Sequence, residues 1–108
     1  MAYFFCRLNS PRPSFMQDIT PAEMKLMQEH SAYWRTFTDK GIAIVFGPVA
    51  DPKGAWGALV LETDNEASAR AMTENDPTIK ANAGFRFDVY MMPSAIVRKQ
   101  AAAASTQA

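Results

Sequence analysis

The segment TPAEMKLMQEHSAYWRTFTD, residues 20–39, constrains this chain more than any other stretch. Leu26, Met27, His30, Tyr33, Trp34 and Phe37 recur at spacings of three and four, so they share one face of a helix. Lys25, Gln28, Glu29, Arg35 and Asp39 mostly fall elsewhere. The start is written locally. Thr20 and Glu23 form an S/T-x-x-E capping box, and Pro21 fills the first helical position, where its missing N–H is no loss. Gly41, after Asp39 and Lys40, sits where helices close on a left-handed residue. His30, the chain's single histidine, stands in the middle of the apolar stripe and faces the core. An ionisable ring there has two readings. It is a neutral core histidine bonded to a carbonyl or water, the commoner case, or it is an acid–base group at the floor of a pocket flanked by Tyr33 and Trp34.

Bulk properties narrow the field. The chain has 108 residues, enough for one domain, and 48% are hydrophobic, enough for a small core. Eleven basic side chains balance eleven acidic ones, so nucleic acid is not expected as the main partner. One cysteine, Cys6, allows no intrachain disulfide, and it reads as a buried structural thiol. No Cys/His cluster has metal-ligand spacing, and no cofactor is expected. The N-terminus lacks the pattern of a signal peptide, and no apolar run reaches membrane-spanning length. A cytoplasmic protein with no membrane contact is the expectation.

The remaining elements follow in order. Tyr3–Leu8 reads as a strand with Phe4, Cys6 and Leu8 on one face and Tyr3, Phe5 and Arg7 on the other; two apolar faces indicate a central position. Residues 9–19, with the prolines of SPRPSF, form a long loop whose Arg12 and Phe15 are placed to touch a ligand. Ile42–Phe46 is a second strand, stopped by Gly47-Pro48. Asp51-Pro52-Lys53-Gly54 has the composition of a β-turn, which explains Asp51 without chemistry. Trp56–Leu61 returns as a third strand. Thr63–Thr73 is a second helix, with Thr63 and Glu66 as its capping box, and Asn75-Asp76-Pro77 ends it, which likewise explains Asp76. A further turn is placed over 78–82. Phe85–Met92 alternates as the fourth strand, with a short extension over 96–98. Residues 1–98 thus make the domain, and 99–108 a low-complexity, disordered tail.

The order β-α-β-β-α-β is the ferredoxin-like split βαβ unit: an α+β fold with a four-stranded antiparallel sheet and both helices on one face. The other face keeps Tyr3, Phe5 and apolar residues near Trp56 and Phe85, a surface suited to a second sheet, so a homodimer in a dimeric α/β barrel is expected. The topology brings the loop 9–19, the connection around Asp51 and the end of the second helix with Asp76 towards one cleft lined by His30. The residues alone do not say which aspartate meets the imidazole.

EHSAYW around His30, the Gly41 helix end, the GP of FGPVADPKGAWG and the NDP closing the second helix occur in the order and spacing of the YCII-related family of small dimeric α/β-barrel proteins, which the chain resembles over residues 3–97. The opening YFFCRLNSPRPSF departs from the shortest members, whose loop is briefer, so the pocket entrance differs here. The resemblance implies a His–Asp centre: His30 with Asp76, which stands where the family's Asp-Pro stands, and Asp51 as second choice. It also supplies a precedent, since one characterised relative looks like a cofactor-free enzyme eliminating hydrogen chloride from a chlorinated hydroxyquinol.

The expected activity is therefore a cofactor-independent lyase or isomerase acting on a small cyclic or aromatic molecule. His30 serves as acid and base, an aspartate fixes its tautomer, and Tyr33 and Trp34 form a flat wall. Arg7 or Arg86 stands ready for an anionic group unless solvated or paired across strands. The competing readings are a non-catalytic small-ligand-binding or dimerisation module, and a haem-handling barrel with His30 as a lone axial ligand.

Overall fold

The computed structural model of the protein describes residues 1–99. Its elements run β1 (Ala2–Asn9), α1 (Phe15–Asp18), α2 (Pro21–Asp39), β2 (Ala43–Val49), β3 (Trp56–Thr63), α3 (Glu66–Glu74), α4 (Pro77–Lys80) and β4 (Arg86–Met92). The strands form one antiparallel sheet in the order β2-β3-β1-β4, with β1 central as its two apolar faces required. This is the ferredoxin-like arrangement, an α+β fold. Of the tail expected over 99–108, residues 100–108 lie outside the described residues.

Alternation along β1 decides which way the sheet faces. Phe4, Cys6 and Leu8 are buried, and Phe4 and Cys6 with Leu59, Leu61 and Ala43 meet Trp34 and Ala69 from the helices in a single core. The register sets Tyr3, Phe5 and Arg7 beside Glu62, Val60 and Ala58 of β3 and Met92, Tyr90 and Asp88 of β4 on the other face. There the Arg7 guanidinium lies 4.3 Å from the centre of the Trp56 ring. Phe85 lies off this open face. It precedes β4 and packs edge-on against Phe15, ring centres 5.3 Å apart, on the helix side.

Helix α2 is closed at both ends by the devices its sequence shows. The Thr20 hydroxyl accepts from the Glu23 N–H at 3.1 Å, and the Glu23 carboxylate accepts from the Thr20 N–H at 3.0 Å. At the far end Gly41 takes φ +77°, donating to the Thr38 carbonyl, while Ile42 donates to that of Phe37. This pair of bonds is the Schellman closure, and the positive φ is what glycine supplies.

Three expectations give way to tertiary context. Gly47-Pro48 does not stop β2, which runs on to Val49: β2 is an edge strand, where a proline's missing N–H breaks no ladder bond. The second helix starts later than placed. Asn65 is its cap, accepting from the Ser68 N–H at 2.9 Å, while Thr63 stays in β3 with its hydroxyl on that of Ser68. The loop after β1 contains the one-turn helix α1, and it is tied down. Ser10 donates to the Ala55 carbonyl at 2.9 Å, and Pro13 crosses so close to Gly54 that a Cβ there would meet the Pro13 carbonyl at 3.0 Å. None of the described helices is long and apolar enough to cross a membrane.

Candidate active site

Asn75 caps the end of α3 and Asp76 caps the start of α4, so the chain turns a corner between them with the Asp76 side chain aimed inward. Asp76 is 0% exposed. Buried carboxylates survive only if their lone pairs are met, and here all are. One oxygen, Oδ1, accepts from the Thr78 backbone N–H at 2.7 Å and from its hydroxyl at 2.8 Å. The other, Oδ2, faces His30 Nδ1 at 2.7 Å and accepts from the Trp34 indole N–H at 2.5 Å. His30 and Trp34 lie one helical turn apart on α2, which makes the shared contact possible.

These contacts define the ionisation. Burial pushes the Asp76 pKa up, but the hydrogen bond and charge of His30, then the Thr78 N–H and Trp34, overcome it and hold the carboxyl below its usual range. An ionised carboxylate only accepts, so the His30 nitrogen facing it carries the hydrogen. In the neutral ring the lone pair is then on Nε2. Among the described residues Nε2 has no protein partner, and it is not among buried unpaired atoms, so it opens to space.

That space is a cleft of about 440 Å³ between α2, the loop 10–19 and the sheet. Its walls are almost wholly apolar: Phe15, Met16, Ile19, Met24, Met27, Phe46, Phe85 and Phe87, with Ser10, Gln28 and Ser31 as polar exceptions. The Phe46 ring meets the imidazole edge to face with centres 6.5 Å apart. His30 itself keeps 16% of its side chain exposed.

The structure sorts the residues singled out in the sequence. His30, Asp76 and Trp34 come together, and Phe15 lines the cleft. Tyr33 does not. It leans away on α2 and donates to the Met72 carbonyl at 2.7 Å, tying α2 to α3. Asp51 stays in its turn, accepting from the Lys53 N–H and the Trp56 indole, and makes no bond to His30. Arg12 forks onto Glu23 and Asp18 at 2.7 Å each and clasps the loop to the start of α2 rather than facing the cleft. Arg86 and Arg7 lie on the opposite face of the sheet, Arg86 beside Asp88 and Arg7 over Trp56. Sequence reading missed Thr78, whose signal was the Asp-Pro-Thr run: an N-cap aspartate points its oxygen at the second residue after it. It also missed Phe46 and Phe85, which read as ordinary strand residues. Among the described residues no group of three or more His, Cys, Asp or Glu side chains could hold a metal ion.

Comparison with known structures gives similar folds at low identity. The 5-chloro-2-hydroxyhydroquinone dehydrochlorinase from Burkholderia phenoliruptrix AC1100, solved in complex with 2,5-dihydroxybenzoquinone, is 21% identical with a TM-score of 0.53, covering 79% of this chain and 90% of its own. An uncharacterized protein from Thermotoga maritima is 14% identical with a TM-score of 0.48, covering 83% of this chain and 94% of its own. No curated protein sequence matches. The model of the YCII-related domain matches residues 3–93, and the chain belongs to that family.

Proposed function

We propose that the protein is a lyase or isomerase that moves protons on a small cyclic or aromatic substrate through His30, with Asp76 as its charge partner and no added cofactor. The observation that carries this is one geometry: Nδ1 held on a saturated buried carboxylate at 2.7 Å, with Nε2 left free at an apolar cleft. In this reading Nε2 takes a proton from a carbon of the bound ring. The electron pair left behind forms a double bond and expels a leaving group from the neighbouring carbon. In an isomerisation the imidazolium returns the proton at another atom instead. Asp76 stabilises the transient imidazolium, and the apolar walls keep competing water out. Positioned acid–base catalysis contributes about 10²–10⁴-fold, and orientation in the cleft must supply the remainder. The dehydrochlorinase that shares the fold is a precedent for the elimination branch.

The same reading includes a cytoplasmic homodimer. The open sheet face carries Tyr3, Phe5, Trp56 and Val60, with Val45 and Tyr90 each 56% exposed, and a second sheet would cover it. Light scattering should return twice the 11.9 kDa chain mass; a monomer removes this part.

The catalytic test uses small phenols and halogenated hydroquinols in heavy water, with deuterium uptake and halide release as readouts. Wild-type protein should act on at least one probe, and His30→Gln should abolish the activity while its circular dichroism and melting curve stay native. Turnover that survives in His30→Gln removes His30 as the acid–base group, and a panel untouched by wild type favours the non-catalytic ligand-binding module.

A further inference from the structure

The walls of the cleft carry information about charge. Among the described residues no lysine, arginine, aspartate or glutamate lines it. Two arginines close in the chain to cleft residues are committed elsewhere. Arg12 is forked onto Asp18 and Glu23, and Arg86 lies across the sheet beside Asp88. Asp76, negative and buried, stands directly behind the imidazole.

A carboxylate or phosphate entering here would give up its water and find no cation except a protonated His30, whose charge is already shared with Asp76. The site would then hold two negative charges against one positive inside an apolar wall. An uncharged ring meets none of these costs, and aromatic walls suit its faces. What it does need is a partner for its polar edge. Gln28 and Ser31 supply that: both line the cleft on α2, at the edge it shares with a shallower groove along the helix, with Gln28 exposed there. Ser10, the other polar wall residue, already spends its hydroxyl hydrogen on Ala55.

We infer that the cleft selects uncharged, planar molecules bearing hydroxyl or carbonyl groups, with one polar edge turned to His30, Gln28 and Ser31. This rests on the reading of the cleft as the ligand site and adds the charge class of what enters it. Carboxylated or phosphorylated forms of the same ring are excluded by the site itself. A reaction upstream must therefore deliver the ring without such a group.

The test is a matched ligand screen on the full-length protein by protein-observed NMR. One arm holds neutral compounds such as phenol, resorcinol and 4-hydroxybenzamide. The other holds shape-matched anions such as benzoate, 3-hydroxybenzoate and 4-hydroxybenzoate. The Trp34 indole N–H and the Ser31 amide are the reporters. Neutral members should bind at least tenfold more tightly than their anionic counterparts. Ser31→Ala or Gln28→Leu should weaken neutral hits by about fivefold, the size of one hydrogen bond. Anions that bind as well as or better than their partners overturn the inference, and so does a neutral arm without hits. The acid–base reading fails separately. Neutral binding that persists in His30→Gln, with no turnover by wild type, removes catalysis and leaves this selectivity standing. Turnover of an anionic substrate that is lost in His30→Gln does the reverse.

Discussion

Asp76→Asn changes one atom and has no comfortable solution. In the native site the two carboxylate oxygens together receive four donors: the His30 Nδ1–H, the Trp34 indole N–H, and the N–H and O–H of Thr78. If the amide oxygen takes the Oδ2 place, the new NH₂ faces the Thr78 backbone N–H. The Thr78 hydroxyl can rotate to accept, but the backbone cannot. If the amide is flipped, the NH₂ faces the Trp34 indole. His30 can shift its proton to Nε2 and accept, but the indole cannot. Either way one buried N–H is stranded, at about 1–3 kcal/mol, and the surviving bonds lose charge assistance worth about 1 kcal/mol each. With two bonds surviving on the amide oxygen, the sum is about 3–5 kcal/mol.

Removing a buried charge would return something only if the fold disfavoured that charge. It does not, because the Asp76 pKa lies below its usual range, so the native site stabilises the ionised form. The substitution should therefore lower the urea midpoint by about 2 M with an unchanged slope. The melting temperature should fall by roughly 12–25 °C. The pH dependence has a definite sign. A depressed native pKa adds stability above the ordinary carboxylate range and loses it as pH falls through the native value. The gap between wild type and Asp76→Asn should thus be full at neutral pH and shrink in acid. A loss below about 1 kcal/mol, or a gap that widens on acidification, refutes the convergence of four donors on an ionised Asp76.

Other consequences are checked more simply. Tyr33→Phe should cost about 1 kcal/mol in urea unfolding, the value of its bond to the Met72 carbonyl, and leave ligand binding unchanged, since Tyr33 stands outside the cleft; weakened binding would put it back in the wall. The Glu23 carboxyl, pulled down to about 2 by Arg12 first and the Thr20 N–H second, should titrate there by carbon-detected NMR and return towards the ordinary range in Arg12→Gln. Burial pushes the Cys6 thiol up to about 12, so iodoacetamide should label it only at the rate of unfolding; labelling of native protein within minutes would contradict its placement.

The parts of this fold that were legible in the sequence are those fixed by neighbours along the chain. The capping box at Thr20 and Glu23, the Gly41 closure and the two faces of β1 depend on residues within a few positions of one another. The choice between Asp51 and Asp76 does not. Each precedes a proline and each caps a turn, so local chemistry accounts for both equally well. Only the packing of α4 on α2 separates them, bringing together residues 46 positions apart. The same limit explains Arg12. An arginine in a proline-rich loop looks free until the loop folds back on Glu23, which the capping box had already placed at the start of α2. Thr63 shows the converse error: it satisfies a capping pattern, but strand pairing with Ala2 keeps it in β3 and Asn65 takes the role. Gly47-Pro48 misled because a stop signal is weak at an edge, and edge position is a property of the whole sheet.

The central claim is that Asp76 fixes the tautomer of His30 and leaves Nε2 as the open base. Nitrogen-15 NMR of the selectively labelled ring, at a pH where it is neutral, reads this directly. The account predicts a protonated Nδ1 and an unprotonated Nε2, with the pattern lost in Asp76→Asn. A ring protonated on Nε2, or an equal mixture of the two tautomers, contradicts it.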